Sequence, residues 1–198
     1  MTAIYLASRS PRRTELLAQL GVEHDVLLAP PAAGPDEPQL PGEPAADYVR
    51  RTAREKALLG AETMRLRHMP ERPLLAADTT VILDGDVLGK PVDRADAVRI
   101  LQRLSGSTHV VHTALAVVSR GVLHEDESIT QVQFRELTPR DIERYCDTGE
   151  PYDKAGAYGI QGLGGIFVRH ISGSFTGVMG LPLYETARLL ACAGIVLP

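Results

Sequence analysis

The chain has 198 residues, 44% of them hydrophobic and 5% aromatic, with no tryptophan and a formal net charge of -4. That length supports one domain over residues 1–198, well cored or split into two small lobes. The acidic balance and low aromatic content exclude the broad basic field or stacking platform of a nucleic-acid binder, but leave room for a compact anion in a local basic pocket. Residues 1–6 lack the basic start and long apolar stretch of a secretory signal, and no apolar run is long enough to span a bilayer. A soluble cytoplasmic protein with no membrane partner is the expectation. The two cysteines, Cys146 and Cys192, fit neither a CxxC pair nor a zinc spacing, and both fall in helical patterns, so they read as small buried thiols.

Residues 3–7 predict a short buried strand, followed by a polar turn and a helix over 11–20, with Ser10 at the cap, Pro11 in the first turn and Gly21 after the end. A second strand is expected near 25–28, then a proline-rich loop over 29–35 and a long helix over 44–64. The uniformly apolar run 73–77 predicts a central strand covered on both faces, continuing extended over 80–83 to a hairpin at Asp84-Gly85. A helix starts at Asp93, with Ala97, Leu101 and Leu104 on one face. Residues 110–118 and 129–134 predict paired strands joined around Gly121. Thr138-Pro139-Arg140-Asp141 is a capping-box variant, residues 152–165 are glycine-rich and irregular, 166–171 predict a strand and 182–191 a closing helix. The alternation of strands and helices with a hairpin implies a mixed-sheet α/β protein.

Three groups of residues could carry chemistry. Ser8-Arg9-Ser10-Pro11-Arg12-Arg13 joins a buried strand to a helix start, where free backbone N–H groups, hydroxyls and guanidinium groups suit phosphate oxygens; a capped helix with solvated arginines has the same pattern. Asp78-Thr79-Thr80 directly follows the apolar run, and a carboxylate at the end of a buried strand can hold a metal or activate water, although Asp also ends strands for turn reasons. Asp36-Glu37 could supply a second carboxylate for Mg²⁺, or be a solvated turn. Lys56 on the long helix, Lys90 in Gly89-Lys90-Pro91 and Lys154 in the glycine-rich stretch complete the basic set. Glycine density there lets a backbone approach a ligand closely, as flexible turns also do. The six histidines show no ligand spacing, and His109 and His112 are expected to face opposite sides of a strand or solvent. Neither a GxxxxGK[ST] loop, a dinucleotide fingerprint nor a GxSxG elbow is present.

Together, and in this order, these segments resemble the Maf family of nucleotide pyrophosphatases. The matching segments are Leu6-Ala7-Ser8-Arg9-Ser10-Pro11-Arg12-Arg13, Arg54-Glu55-Lys56-Ala57, Ala77-Asp78-Thr79-Thr80-Val81, Gly89-Lys90-Pro91, Leu104-Ser105-Gly106 and Met179-Gly180-Leu181-Pro182. The run from Asp153 to Gly162 is similar to the subgroup that hydrolyses dTTP and UTP rather than 7-methyl-GTP. The resemblance implies an ITPase-like α/β fold, an elongated mixed β-sheet flanked by helices with a central cleft between two lobes. It also implies a nucleotide substrate, a divalent metal cation (Mg²⁺ or Mn²⁺) and frequent homodimers. It suggests Asp78 as the catalytic acid/base residue, Arg12, Thr79 and Gln161 in base selection, and Glu37, Arg13, Lys56 and Lys90 along the cleft, with Asp78 and Glu37 as metal ligands. Arg9 stands where many members have a small residue, and Glu37 matches across an insertion. Competing expectations are a pyrophosphatase for another nucleotide class and a non-catalytic nucleotide-binding regulator of cell division.

Overall fold

The computed structural model describes residues 3–29 and 38–197. Strand β1 (Ile4–Leu6) leads into α1 (Pro11–Gln19), β2 (His24–Val26), α2 (Ala45–Leu66) and the long β3 (Leu74–Leu83). Then follow β4 (Asp86–Leu88), α3 (Arg94–Leu104), β5 (Thr108–Ser119), β6 (Val122–Phe134) and α4 (Pro139–Cys146). Three 3₁₀ turns over Glu150–Asp153, Ala155–Ala157 and Leu163–Phe167 precede β7 (Val168–Ser172), α5 (Phe175–Met179) and α6 (Leu183–Cys192). Among the described residues the sheet has seven strands in the order β2-β1-β3-β5-β6-β7, with β4 on β3. β1 runs parallel to β2 and β3, and the other pairings are antiparallel, so the sheet is mixed as expected.

Local chemistry accounts for many element ends. Asp84 and Gly85 both take positive φ (53° and 87°), the backbone a two-residue hairpin requires, and Arg120-Gly121 repeats it between β5 and β6. Thr138 and Asp141 form the full reciprocal capping box. Ser10 occupies the N-cap of α1, but its side chain makes no cap hydrogen bond.

Several expectations are corrected. β3 is unbroken from Leu74 to Leu83, so Asp78 lies within a strand and not at its end. Continuous pairing with β5, from Leu74↔Val118 to Ile82↔Val110, together with the β-branched Thr79 and Thr80, carries the strand past the aspartate. β6 starts at Val122 rather than 129 because pairing with β5 begins at the turn itself. β7 starts at Val168 because a 3₁₀ turn occupies the residues before it, and α5 was not expected. Cys146 is buried but Cys192 is exposed. His109 and His112 do take opposite faces of β5, yet both are about 1% exposed.

Among the described residues, the buried ones form three clusters that divide the sheet along its strands. One packs α1 and α6 on Ile4, Leu6, Leu75, Ala77, Leu115 and Val117. A second packs α2 on the other face, against Tyr5, Leu74, Ala76, Ala114 and Ala116. A third lies further along, where α3, α4 and the 3₁₀ segment cover Val81, Leu83, Val111, Val132 and Phe134. β3 and β5 run through both regions, so the two lobes share one pair of long strands. Asp78, Thr79 and Thr80 sit where one lobe gives way to the other.

Candidate active site

The order β2-β1-β3 places α1 and α2 on opposite faces of the sheet, which makes the β1/β3 boundary a topological switch point, the place where open α/β sheets form ligand crevices. β1 pairs with β3 at Leu74 and Leu75, whereas β4 pairs with the same edge only from Val81 to Leu83. Among the described residues no strand covers the edge between them. A cleft of about 1060 Å³ opens there, and Ser8, Ser10, Arg12, Arg13, Lys56, Asp78, Thr79, Lys90, Lys154 and Gln161 all line it. Arg9 lines it too, adding an exposed cation at the rim. Glu37, like Asp36, lies outside the described residues.

Alternation along β3 sends Asp78 and Thr79 to opposite faces. On the α2 face, Lys56 Nζ donates to Asp78 Oδ1 at 2.8 Å, and Thr80 Oγ1 donates to Oδ2 at 3.3 Å. The aspartate side chain is 14% exposed. Behind it on β5, His112 Nε2 meets Glu127 at 2.9 Å, and Glu127 also takes two bonds from Arg50. Burial lowers the His112 pKa despite that carboxylate, so the ring is held towards its neutral form.

On the opposite face Arg13 forms a clamp. Its Nε donates to Gly180 O at 2.8 Å, Nη1 to Ser8 Oγ at 3.1 Å and Nη2 to Thr79 Oγ1 at 3.2 Å. Ser8 Oγ also accepts from Ser10 N at 3.2 Å. The junction after β1, the middle of β3 and the end of α5 are thus tied by one guanidinium group.

At the mouth, Asp153 bridges two cations from opposite walls, Arg12 at 3.1 Å and Lys154 at 2.5 Å. Burial would raise its pKa, but Lys154 and then Arg12 outweigh that and hold it below the usual carboxylate range. Lys154 Nζ also donates to Glu150 O at 2.7 Å. Lys90 is exposed in the segment after β4, where Gly156 N donates to Gly89 O.

The glycine-rich wall is built around a carboxylate that the sequence did not single out. Glu150 Oε1 accepts from Tyr145 Oη at 2.7 Å and Gly164 N at 3.0 Å, and Oε2 accepts from Leu163 N at 2.9 Å. Burial opposes its charge, but these bonds and Lys154 leave its pKa lowered. A Cβ at Gly162 would lie 2.6 Å from Glu150 Oε2, and one at Gly164 would lie 2.7 Å from Tyr145 Oη. The glycines therefore let the chain wrap Glu150, and this wrapping carries Gln161 to the cleft. Asp153 opens the run that carries the subgroup resemblance, but nothing in the sequence marks it as the carboxylate between Arg12 and Lys154.

Among the described residues no cluster of three or more His, Cys, Asp and Glu side chains forms a metal cage. One recessed carboxylate in an open cleft still fits a hard cation that completes its shell with water and substrate phosphates, as Mg²⁺ does. Asp78 is the described residue suited to hold it.

Residues 3–193 match the family described as Maf-like protein. The chain belongs to the Maf family. Similar Maf relatives include the dTTP/UTP pyrophosphatase of Bordetella parapertussis, 64% identical over 195 residues that cover 98% of this chain and 94% of that protein. The proteins of the same name from Bordetella avium (63%, covering 98% and 97%) and Chromobacterium violaceum (54%, covering 100% and 98%) are similar throughout their length. A solved nucleoside-triphosphatase / dITP/XTP pyrophosphatase from Mycobacterium abscessus aligns over 98% of this chain and 96% of its own at 17% identity, with a TM-score of 0.44. No helix among the described residues is long and apolar enough to cross a membrane.

Proposed function

We propose that this chain hydrolyses dTTP and UTP between the α and β phosphates, releasing the nucleoside monophosphate and pyrophosphate. The observation that carries the reading is a recessed Asp78 paired with Lys56 at 2.8 Å in a cleft also lined by Arg12, Lys90 and Lys154. Relatives named for this activity, covering nearly the whole chain, support it.

Cleavage requires a water aimed at the α-phosphorus and relief of charge on the leaving pyrophosphate. Asp78 orients that water and accepts its proton, and Lys56, which holds the carboxylate in place, lies beside the developing charge. Ser8 accepts two hydrogen bonds at Oγ and so keeps its own proton for a phosphate oxygen. Lys90, Arg9 and Lys154 neutralise the triphosphate. Asp78 would also hold a divalent cation together with the substrate phosphates, which would supply further charge neutralisation. Gln161 and Arg12 at the mouth read the base: a Gln amide offers both a donor and an acceptor to thymine or uracil, and the donor-only Arg12 favours a carbonyl over an exocyclic amine.

Pyrophosphate release from a panel of nucleoside triphosphates, with Mg²⁺, Mn²⁺ or chelator, tests the proposal. Turnover of dTTP and UTP that chelator abolishes supports it. Preference for purine nucleotides, or no release by folded protein, would overturn it.

A further inference from the structure

Behind Thr79, away from the cleft, stands Thr113 of β5, fully buried and paired with it across the two strands. The two hydroxyl oxygens are 2.9 Å apart, and Thr113 Oγ1 donates to Gly177 O at 2.8 Å. These contacts fix every proton. A carbonyl only accepts, so the Thr113 proton goes to Gly177; an arginine only donates, so Thr79 accepts from Arg13. The Thr79 proton must then point inward to Thr113. What Thr79 offers the cleft is an acceptor lone pair and no donor.

Its neighbour on the clamp has the opposite polarity. Ser8 accepts from both Ser10 N and Arg13 Nη1, which leaves its proton available. One guanidinium group thus separates a donor hydroxyl, suited to phosphate, from an acceptor hydroxyl, which phosphate would repel. An acceptor fixed at Thr79 suits a ligand atom that carries hydrogen. Thymine and uracil carry one at N3, whereas cytosine has a bare acceptor at N3.

We propose that Thr113 is a positioning residue for base specificity: by taking the Thr79 proton it locks Thr79 as an acceptor that favours an N3–H pyrimidine over cytosine. This rests on the nucleotide reading above and deepens it. Without the Thr113 hydroxyl, the Thr79 proton is free to turn to the cleft and donate to cytosine N3.

The test compares Thr113→Val, which removes the hydroxyl and keeps the branched shape, with Thr113→Ser, which keeps the hydroxyl. The readouts are kcat/KM for UTP and CTP, equilibrium binding of UMP and CMP by calorimetry, and thermal melting. In Thr113→Val the UTP:CTP preference should fall about tenfold, the scale of one misoriented neutral hydrogen bond, mainly through KM. CTP should improve in absolute terms, which general damage to the fold does not produce, and Thr113→Ser should restore the wild-type ratio. An unchanged ratio in folded Thr113→Val, or a Ser variant that behaves like Val, overturns the proposal. If Thr113→Val fails to fold, Thr79→Val removes the acceptor itself and must show the same loss; an intact ratio there is equally fatal. The binding arm separates the two levels. Wild-type protein that releases no pyrophosphate yet prefers UMP, with the preference lost in Thr113→Val, refutes the activity and supports the positioning role.

Discussion

Glu150 is the keystone of the wall that presents Gln161, and Glu150→Gln tests that directly. The carboxylate accepts three hydrogen bonds, two at Oε1 and one at Oε2. A glutamine must place its NH₂ against at least one of these donors. The cheaper orientation turns NH₂ towards Leu163 N, loses that bond and reduces the other two from charged to neutral. Hydrogen bonds to charged groups are worth about 1.5–3 kcal/mol each, roughly twice the neutral ones. Since the Leu163 end is exposed, water recovers part of the loss there. The net destabilisation comes to about 2–3 kcal/mol, or roughly 4–12 °C in melting temperature for a chain of this size. Urea denaturation measures the first, and steady-state kinetics with UTP should show KM raised more than kcat is lowered, because Gln161 moves while Asp78 stays. Gly162→Ala probes the same contact from the other side, since its Cβ would press on Glu150 Oε2. A Glu150→Gln protein with wild-type midpoint and KM would refute the idea that this carboxylate organises the loop.

Asp78→Asn should reduce kcat for dTTP and UTP by at least about a thousandfold while leaving the melting temperature within a few degrees; near-normal turnover would remove Asp78 from the chemistry. Gln161→Ala should raise KM for dTTP and UTP several-fold with little change in kcat, and an unchanged substrate preference would count against its place in the base pocket. His109 is buried against Phe134 and Tyr158, and burial pulls its pKa from 6.5 to about 4. With the folded value below the unfolded one, the unfolded chain binds the extra proton, so stability is fully present above pH 6.5 and is lost as pH falls towards 4. At about 1.4 kcal/mol per pH unit the loss is roughly 3 kcal/mol. Stability curves from pH 4 to 7 should be flatter in His109→Gln by that amount, and curves of equal slope would sink the assignment.

What the sequence makes legible here is mostly local. Pro11 opening α1, the Thr138–Asp141 box and the Asp84-Gly85 hairpin each depend on a few adjacent residues and were found where expected. Asp78 reads as a strand end because it directly follows the apolar run 73–77, and pairing with a strand some 35 residues away carries β3 through it. Glu150 was invisible because its three donors come from residues 145, 163 and 164, gathered by a fold without local periodicity. In the sequence the dense glycines suit either a close ligand or a flexible turn, and in the fold Gly162 makes room for this carboxylate. Thr113 had no local signal at all, since its meaning lies in its register with Thr79.

That register has a consequence for how the cleft works. Asp78 and Thr79 are adjacent in sequence yet face opposite sides of the sheet, one towards Lys56 of α2 and the other towards Arg13 of α1. Both line one cleft because β1 stops pairing after Leu75 and β4 starts at Val81, and among the described residues no strand pairs with the β3 edge between them. A ligand that touches both must cross that edge. The carboxylate with its lysine and the acceptor hydroxyl then sit on either side of a strand held by nine paired positions along β5. A hinge between the lobes would have to bend β3 and β5 together. The spacing between the two sites is therefore set by the pitch of a rigid strand, which is the geometry that reading a base at a fixed distance from a reacting phosphate requires.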